Sequence, residues 1–96
     1  SWSGLQLRKK YRKPPTRNLS ERQGEVLMLL TQRNLWSITE IARALKCSLT
    51  TASRTVDRLE RMRLVRCATE AADPRRLQVR LTVLGNETVQ ALQMDQ

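Results

Sequence analysis

The sequence predicts an α+β fold that is mainly α-helical, with a two-stranded β-hairpin between its third and last helices. Capping patterns of the type Ser-x-x-Gln/Glu, at Ser20 and Ser37, each precede apolar residues at helical spacing. From Leu77 to Leu81 apolar and polar residues alternate strictly, directly after the turn-forming pair Asp73-Pro74. A chain of 96 residues suffices for one domain with one modest core.

The first two helices follow the two capping boxes. Ser20 pairs with Gln23, and the helix it starts is expected to end near Gln32. Ser37 pairs with Glu40 and starts a second helix. The apolar residues of these helices recur at helical spacing and predict core stripes: Val26, Leu27 and Leu30, then Ile38, Ile41, Ala42 and Leu45. Trp36, just before the second cap, is predicted to pack against Ile41 as a hydrophobic staple.

A third helix is predicted over "LTTASRTVDRLERM", residues 49–62, with Ser48 as its N-cap. Its buried stripe is Ala52, Val56 and Leu59. The opposite face, at 100° per residue, carries Thr50, Arg54, Asp57 and Arg61, flanked by Ser53 and Arg58. Only about three residues separate the second and third helices, and this predicts a helix-turn-helix.

The hairpin follows the third helix directly. We expect strands over residues 64–67 and 76–81 around a loop at 68–75, and a last helix from Val83 to about Met94, capped by Thr82. A helix-turn-helix followed by a two-stranded hairpin is a winged helix-turn-helix. The apolar residues of the last helix form no single narrow stripe, so this helix is expected to contact both its own domain and a partner.

The charge of the chain favours a polyanionic partner. It has 18 Lys+Arg against 9 Asp+Glu, a net charge of +9, although solubility alone is the alternative explanation. We divide the chain into a basic flexible arm, residues 1–18, and a winged-helix domain, residues 19–96. The arm holds six basic residues and no acid, so it either follows DNA phosphates or is a solvated tail. Those residues are Arg8, Lys9, Lys10, Arg12, Lys13 and Arg17.

Other classes of function find little support in the sequence. No apolar run reaches the ~18 residues of a membrane span. Cys47 and Cys67 are the only cysteines and histidine is absent, so neither a four-ligand zinc site nor a disulfide framework is expected. The cysteines are interpreted as small packing residues. With no phosphate-binding loop and no histidine base, we expect neither enzyme activity nor a cofactor.

Three motifs resemble the DNA-binding domain of the MarR family of winged-helix transcription regulators, over residues 19–92. "LSERQGEVLMLL" resembles the opening helix of that domain, and "SLTTASRTVDRLERMRLV" resembles its recognition helix and first wing strand. "DPRRLQVRLTVLG" resembles its wing signature. The resemblance implies a cytoplasmic, nucleoid-associated repressor or activator that binds a palindromic operator in double-stranded DNA as a homodimer.

The chain departs from the family pattern at three points. Arg63 stands where a glycine is usual. Cys67 stands where an arginine usually pairs with the wing aspartate, so Asp73 pairs with Arg66, with Arg75 or with neither. Family members are also longer, with extra terminal helices that build the dimer and an effector pocket. A homodimer therefore remains an option, and a small-molecule effector is not expected.

The predicted DNA-binding residues divide between the third helix, the wing and the arm. The helix enters the major groove, where Thr50, Ser53 and Arg54 read bases and Thr50 or Thr51 meets a thymine methyl. Ser48 and the helix N-terminus suit a phosphate. Arg58 and Arg61 are expected to meet the DNA backbone, and pairing with Asp57 or Glu60 is the alternative. The wing candidates are Asp73, Arg75 and Arg76: Arg75 is expected to enter the minor groove, and Arg76 to point to a phosphate or back to the domain. The arm candidates are Arg8, Lys9, Lys10, Arg12 and Lys13.

A rival hypothesis is a winged helix that binds proteins and not DNA. Under it, Arg54 and Arg75 are incidental surface charges. The basic surplus and the Thr/Ser/Arg-rich outer face of the third helix favour DNA. RNA binding is a weaker third option, because two Trp and one Tyr offer no visible stacking platform.

Overall fold

The computed structural model describes residues 19–69 and 77–94. The elements in chain order are α1 (Glu21–Leu30), β1 (Trp36–Ser37), α2 (Ile38–Leu45), α3 (Leu49–Arg61), β2 (Val65–Thr69), β3 (Leu77–Leu81) and α4 (Val83–Met94). The strands form one antiparallel sheet in the order β1-β3-β2. The predicted winged helix-turn-helix is therefore confirmed, and a short third strand that was not predicted extends the sheet.

Both capping boxes are present as predicted. The Ser20 hydroxyl accepts from the Gln23 N–H at 3.1 Å while the Gln23 side chain accepts from the Ser20 N–H at 3.0 Å. Ser37 and Glu40 make the same reciprocal pair at 3.1 and 2.9 Å. Each box satisfies two amides that the first turn of a helix leaves without partners.

The first helix is shorter than predicted, because α1 ends at Leu30 and not near Gln32. The N–H groups of Thr31 and Gln32 bond to the carbonyls of Met28 and Leu29, three residues back. This tighter spacing marks the end of an α-helix. The chain then turns through residues 31–35 into β1.

A left-handed residue ends each helix of the helix-turn-helix pair. Lys46 has φ 54°, and the Cys47 N–H donates to the Ala42 carbonyl at 3.0 Å. Arg63 has φ 65°, and the Leu64 N–H donates to the Leu59 carbonyl at 3.0 Å. Both arrangements are Schellman motifs, in which glycine is the usual left-handed residue. Arg63 therefore occupies a conformation suited to glycine, at a cost of ~1–2 kcal/mol for a residue with a Cβ.

This second motif also sets the register of the wing. The prediction that β2 begins at residue 64 is wrong, because Leu64 closes the end of α3 and β2 begins at Val65. β2 continues to Thr69, two residues beyond the predicted end. The returning strand β3 is described from Leu77, and Arg76, its predicted first residue, lies outside the described residues.

Strand β3 is the centre of the sheet. Val79 is completely buried and is paired with both Trp36 of β1 and Cys67 of β2. The buried stripe of α3 packs in the same core and includes the predicted Ala52, Val56 and Leu59. Trp36 and Ile41 are both buried in this core, but Trp36 enters it as a strand residue.

Helix α4 packs closely against the turn between α3 and β2. The Thr82 hydroxyl accepts from the Gly85 N–H at 3.0 Å, as expected of a cap, and donates to the Arg63 carbonyl at 2.7 Å. A Cβ on Gly85 would lie 2.0 Å from the Leu64 carbonyl oxygen. Only glycine allows this close approach of α4 to the turn.

Candidate nucleic-acid interface

The start of α3 is an uncompensated positive helix end. The Ser48 hydroxyl accepts from the Thr51 N–H at 3.0 Å and donates to the Thr51 hydroxyl at 3.0 Å. The first turn of α3 has no acidic residue, whereas the first turns of α1 and α2 contain Glu21 and Glu40. The dipole at this end, and the first-turn amides other than the Thr51 N–H, therefore remain available to an anion.

The outer face of α3 presents the predicted side chains to solvent. Thr50, Ser53 and Arg54 are exposed in its N-terminal half, and Arg58 and Arg61 are exposed further along. Thr51, in contrast, is half-buried, and its hydroxyl already accepts a hydrogen bond from the Ser48 hydroxyl. Thr50, and not Thr51, is thus the better placed of the two predicted threonines.

The arginines of this face differ in their partners. Arg61 pairs with Asp57 at 3.2 Å, one turn back, so the alternative of intrahelical pairing applies to Arg61. Both side chains are mostly exposed, so the pair contributes little to stability. Within residues 19–69 and 77–94, Arg54 and Arg58 have no ion pair or hydrogen bond. These like charges lie one turn apart, an arrangement that a polyanion would relieve.

A cleft of about 250 Å³ joins this face to the start of α1. It is lined by Ser20, Gln23, Thr51, Arg54, Thr55 and Arg58. Sequence reasoning did not assign Ser20 or Gln23 to this surface, because their position depends on how α1 packs across α3. The cleft contains two arginines and no carboxylate, which suits a phosphate group.

The wing and arm candidates lie outside the described residues. These are Asp73, Arg75 and Arg76 in the wing and Arg8, Lys9, Lys10, Arg12 and Lys13 in the arm. The described part of the wing ends at the pair Thr69–Leu77. The pairing of Asp73 also lies outside this part of the chain.

Cys67 is a half-buried thiol with suppressed acidity. Burial, together with the nearby Glu60 carboxylate, raises the pKa of Cys67 to about 11. The Glu60 carboxylate also accepts from the Cys67 N–H at 3.2 Å. A thiol with so high a pKa is mostly protonated at pH 7, which agrees with the predicted packing role.

Two further properties concern only the described residues. None of their helices is both long and apolar enough to cross a membrane. Their His, Cys, Asp and Glu side chains form no group of three that could hold a metal ion.

Comparison with known proteins identifies the family. The MarR family model matches residues 19–76, more than half of the chain. The chain belongs to the MarR family. The family resemblance inferred from the three sequence motifs is thereby confirmed. No sequence among the curated proteins matches the chain.

Solved structures of MarR-family regulators share the fold. Lactococcus lactis ZitR, solved as a cysteine-to-serine mutant, superposes with a TM-score of 0.72 and 22% identity, over 80% of this chain and 52% of ZitR. Bordetella bronchiseptica BpsR was solved in a study of how 6-hydroxynicotinic acid regulates its DNA binding. It superposes with a TM-score of 0.76 and 24% identity, over 98% of this chain and 77% of BpsR. S. aureus MepR, solved in a complex with DNA, superposes with a TM-score of 0.77 and 24% identity, over 96% of this chain and 75% of MepR. The chain thus spans only about half the length of ZitR.

Proposed function

We propose that this MarR-family chain is the DNA-binding domain of a transcription regulator, which binds double-stranded DNA sequence-specifically and catalyses no reaction. The observation that carries this proposal is the pair of exposed arginines without partners in the described chain, Arg54 and Arg58, beside the uncompensated start of α3. The DNA complex of S. aureus MepR, which has the same fold, supports it.

Base reading is assigned to the N-terminal half of α3. The major groove accepts a helix, and the N-terminal residues of a recognition helix reach the base edges. Arg54 can donate two hydrogen bonds to O6 and N7 of one guanine. Thr50 and Ser53, exposed beside it, supply a methyl contact for thymine and a small hydrogen-bonding group.

Phosphate binding is assigned to the cleft between α1 and α3. Arg58 lines this cleft from α3, and Ser20 lines it from the start of α1. The start of α3 offers a second phosphate position at Ser48. Arg61 would have to leave Asp57 to reach a phosphate, so we give it the smallest role.

The wing and the arm extend the proposed interface. In this proposal Arg75 enters an A·T-rich minor groove, where the potential is most negative, and Arg76 points to a phosphate or back to the domain. The six basic residues of the arm follow the DNA backbone. Two copies of the chain would read the two halves of a palindromic site at the bacterial or archaeal nucleoid, in the cytoplasm.

Selection of bound sequences from a random duplex pool tests the proposal. We expect enrichment of a guanine-containing motif, with an A·T-rich flank where the wing contacts the minor groove. Twofold symmetry of the motif would identify a dimer. A salt titration on unselected duplex should show a steep loss of affinity. A pool without enrichment, together with affinity that does not depend on salt, would favour the protein-interaction module instead.

A further inference from the structure

The exposed face of the sheet places two arginines directly opposite each other. Arg66 of β2 and Arg80 of β3 are register partners, and both side chains are exposed. Directly opposed residues of an antiparallel pair have Cβ atoms ~4.5–5.5 Å apart, so like charges there repel. Neither arginine has an ion pair or hydrogen bond to the rest of the described chain.

Both arginines line a groove of about 690 Å³, which we call the Arg66–Arg80 groove. Its other walls are the end of α1 with the loop that follows it, and the segment from the end of β3 into the first turn of α4. The residues that line these walls are Leu30, Thr31, Arg33, Asn34 and Leu35, then Leu81, Thr82, Val83 and Asn86. The lining includes three arginines, two asparagines and two threonines, and no aspartate or glutamate. Among the described residues, the groove is therefore a cationic, hydrogen-bonding cavity without an internal counterion.

The third arginine, Arg33, is held in place by other contacts. It forms an ion pair with Glu40, donates to the Leu35 carbonyl at 3.1 Å and lies 4.1 Å from the centre of the Trp36 ring. Its charge is thus already compensated. Among the residues that the structure describes, Arg66 and Arg80 remain as the two charges of the groove that an anion would neutralise.

The shape of the groove indicates the chemical class of that anion. Two guanidinium groups on adjacent strands offer two forks of N–H donors, which match the oxygens of a phosphate. Helix α4 begins at the groove wall with Val83, where first-turn amides and the helix dipole favour negative charge. The groove is larger than one phosphate needs, and Leu30, Leu35 and Val83 provide an apolar wall.

We propose that the Arg66–Arg80 groove binds the phosphate group of a small phosphomonoester, with Arg66 and Arg80 as its ligands and the apolar wall against its organic body. This site is separate from the α3 face and does not depend on the DNA-binding proposal. A DNA backbone phosphate has the same chemistry and is the other source that the experiment must distinguish.

The test is a titration of the full, 15N-labelled chain with phenyl phosphate and with inorganic phosphate, against sodium chloride at equal ionic strength. The Nε–H signals of Arg66 and Arg80 and the amide signal of Val83 report on the groove itself. We expect saturable shifts of these signals with both phosphates and tighter binding of phenyl phosphate, because it also contacts the apolar wall. Chloride should not saturate them.

Variants that each remove one arginine charge, inside or outside the groove, locate the site. Arg66→Gln and Arg80→Gln should each weaken phenyl phosphate binding at least tenfold. Arg43→Gln, which removes an exposed arginine of α2 outside the groove, should change it less than twofold. Arg66→Lys keeps the charge but loses the fork and should give an intermediate affinity. Unchanged amide spectra away from the groove would verify that each variant is folded.

The outcomes separate the two phosphate sources. Saturation by phenyl phosphate identifies a soluble ligand. Groove signals that respond only to duplex DNA, and lose that response in Arg66→Gln, overturn the small-molecule assignment and identify the DNA backbone. Shifts equal to those caused by chloride, or equal affinity in Arg66→Gln and wild type, overturn the proposal altogether.

Discussion

At the scale of single residues, two glycines lie in opposite steric environments. Gly85 faces the Leu64 carbonyl oxygen, 2.0 Å from where a Cβ would be, whereas a Cβ on Gly24 would meet nothing within 4 Å. We expect Gly85→Ala to destabilise the domain by ~1–3 kcal/mol or more, because backbone must move. Gly24→Ala, within α1, should stabilise it by ~0.5–1 kcal/mol. Urea unfolding of both variants measures this difference, and losses of equal size would contradict the close approach of α4.

The arginines of α3 allow a matched binding experiment at the same scale. Arg54→Ala should weaken specific binding by ~1–3 kcal/mol and relax the preference at one base pair, because a bidentate contact is lost. Arg61→Ala on the same helix removes the same charge, but this arginine is already paired with Asp57. Its effect should be smaller and independent of sequence. Equal effects in a competition assay on the selected motif would show that Arg54 contacts phosphate and not a base.

At the scale of elements, the capping box of α2 is expected to make the stability of the domain depend on pH in the acidic range. The hydrogen bond from the Ser37 backbone, followed by the interaction with Arg33, lowers the pKa of Glu40 below 4.5. Folding thus favours the ionised form of Glu40. The contribution of this ionised carboxylate to the free energy of unfolding is complete above pH ~4.5, and it is lost as the pH falls through the lower pKa of the folded state.

A glutamine at this position tests that dependence. Glu40→Gln keeps an oxygen that can accept from the Ser37 N–H, as Gln23 does from Ser20 in α1. We expect the variant to lose less stability than wild type as the pH falls below ~4.5. Thermal unfolding between pH ~3 and ~7 measures it, with Gln23→Glu as the reverse exchange in α1. Identical profiles for Glu40→Gln and wild type would show that ionisation of Glu40 does not stabilise α2.

The elements also show what sequence could and could not predict. Ser20, Ser37 and Thr82 marked helix starts correctly, because a cap is a local interaction over three residues. The strand at Trp36 was missed, since two residues have no periodicity and their pairing with Val79 is set by the tertiary fold. The sequence also left open whether Arg58 or Arg61 pairs with an acidic residue. Within the described helix Arg61 pairs with Asp57 and Arg58 has no such pair, a difference that depends on side-chain placement. The alternation from Leu77 to Leu81 predicted β3, but not its central position.

At the scale of the whole molecule, the positive charge is unevenly distributed. Residues 1–18 hold six of the 18 basic residues and no acid, so the other residues carry 9 − 6 = +3. Deleting residues 1–18 leaves the Ser20 capping box, and we expect the fold to persist. Affinity for unselected duplex should fall, and the slope of log K against log salt should flatten by ~0.9 per lost phosphate contact.

A length-matched control separates charge from the mere presence of the arm. Replacement of Arg8, Lys9, Lys10, Arg12, Lys13 and Arg17 by glutamine should reproduce the effect of the deletion. Fluorescence anisotropy over a range of salt concentrations measures both variants. An unchanged slope would show that the arm is a solvated tail, the alternative that the sequence leaves open.

The central place of β3 has a consequence for how the chain matures during synthesis. Its pairing with β1 spans 79 − 36 = 43 residues, and both outer strands precede it along the chain. Closing so long a loop costs entropy that only the completed core offsets. We expect a fragment of residues 19–69 to melt without a cooperative transition, and a chain through Met94 to melt cooperatively. A sigmoidal melt of the fragment would contradict this order. On this folding order, we expect a nascent polypeptide that stalls before β3 to be unfolded and open to proteases, and not to compete with the completed chain for DNA.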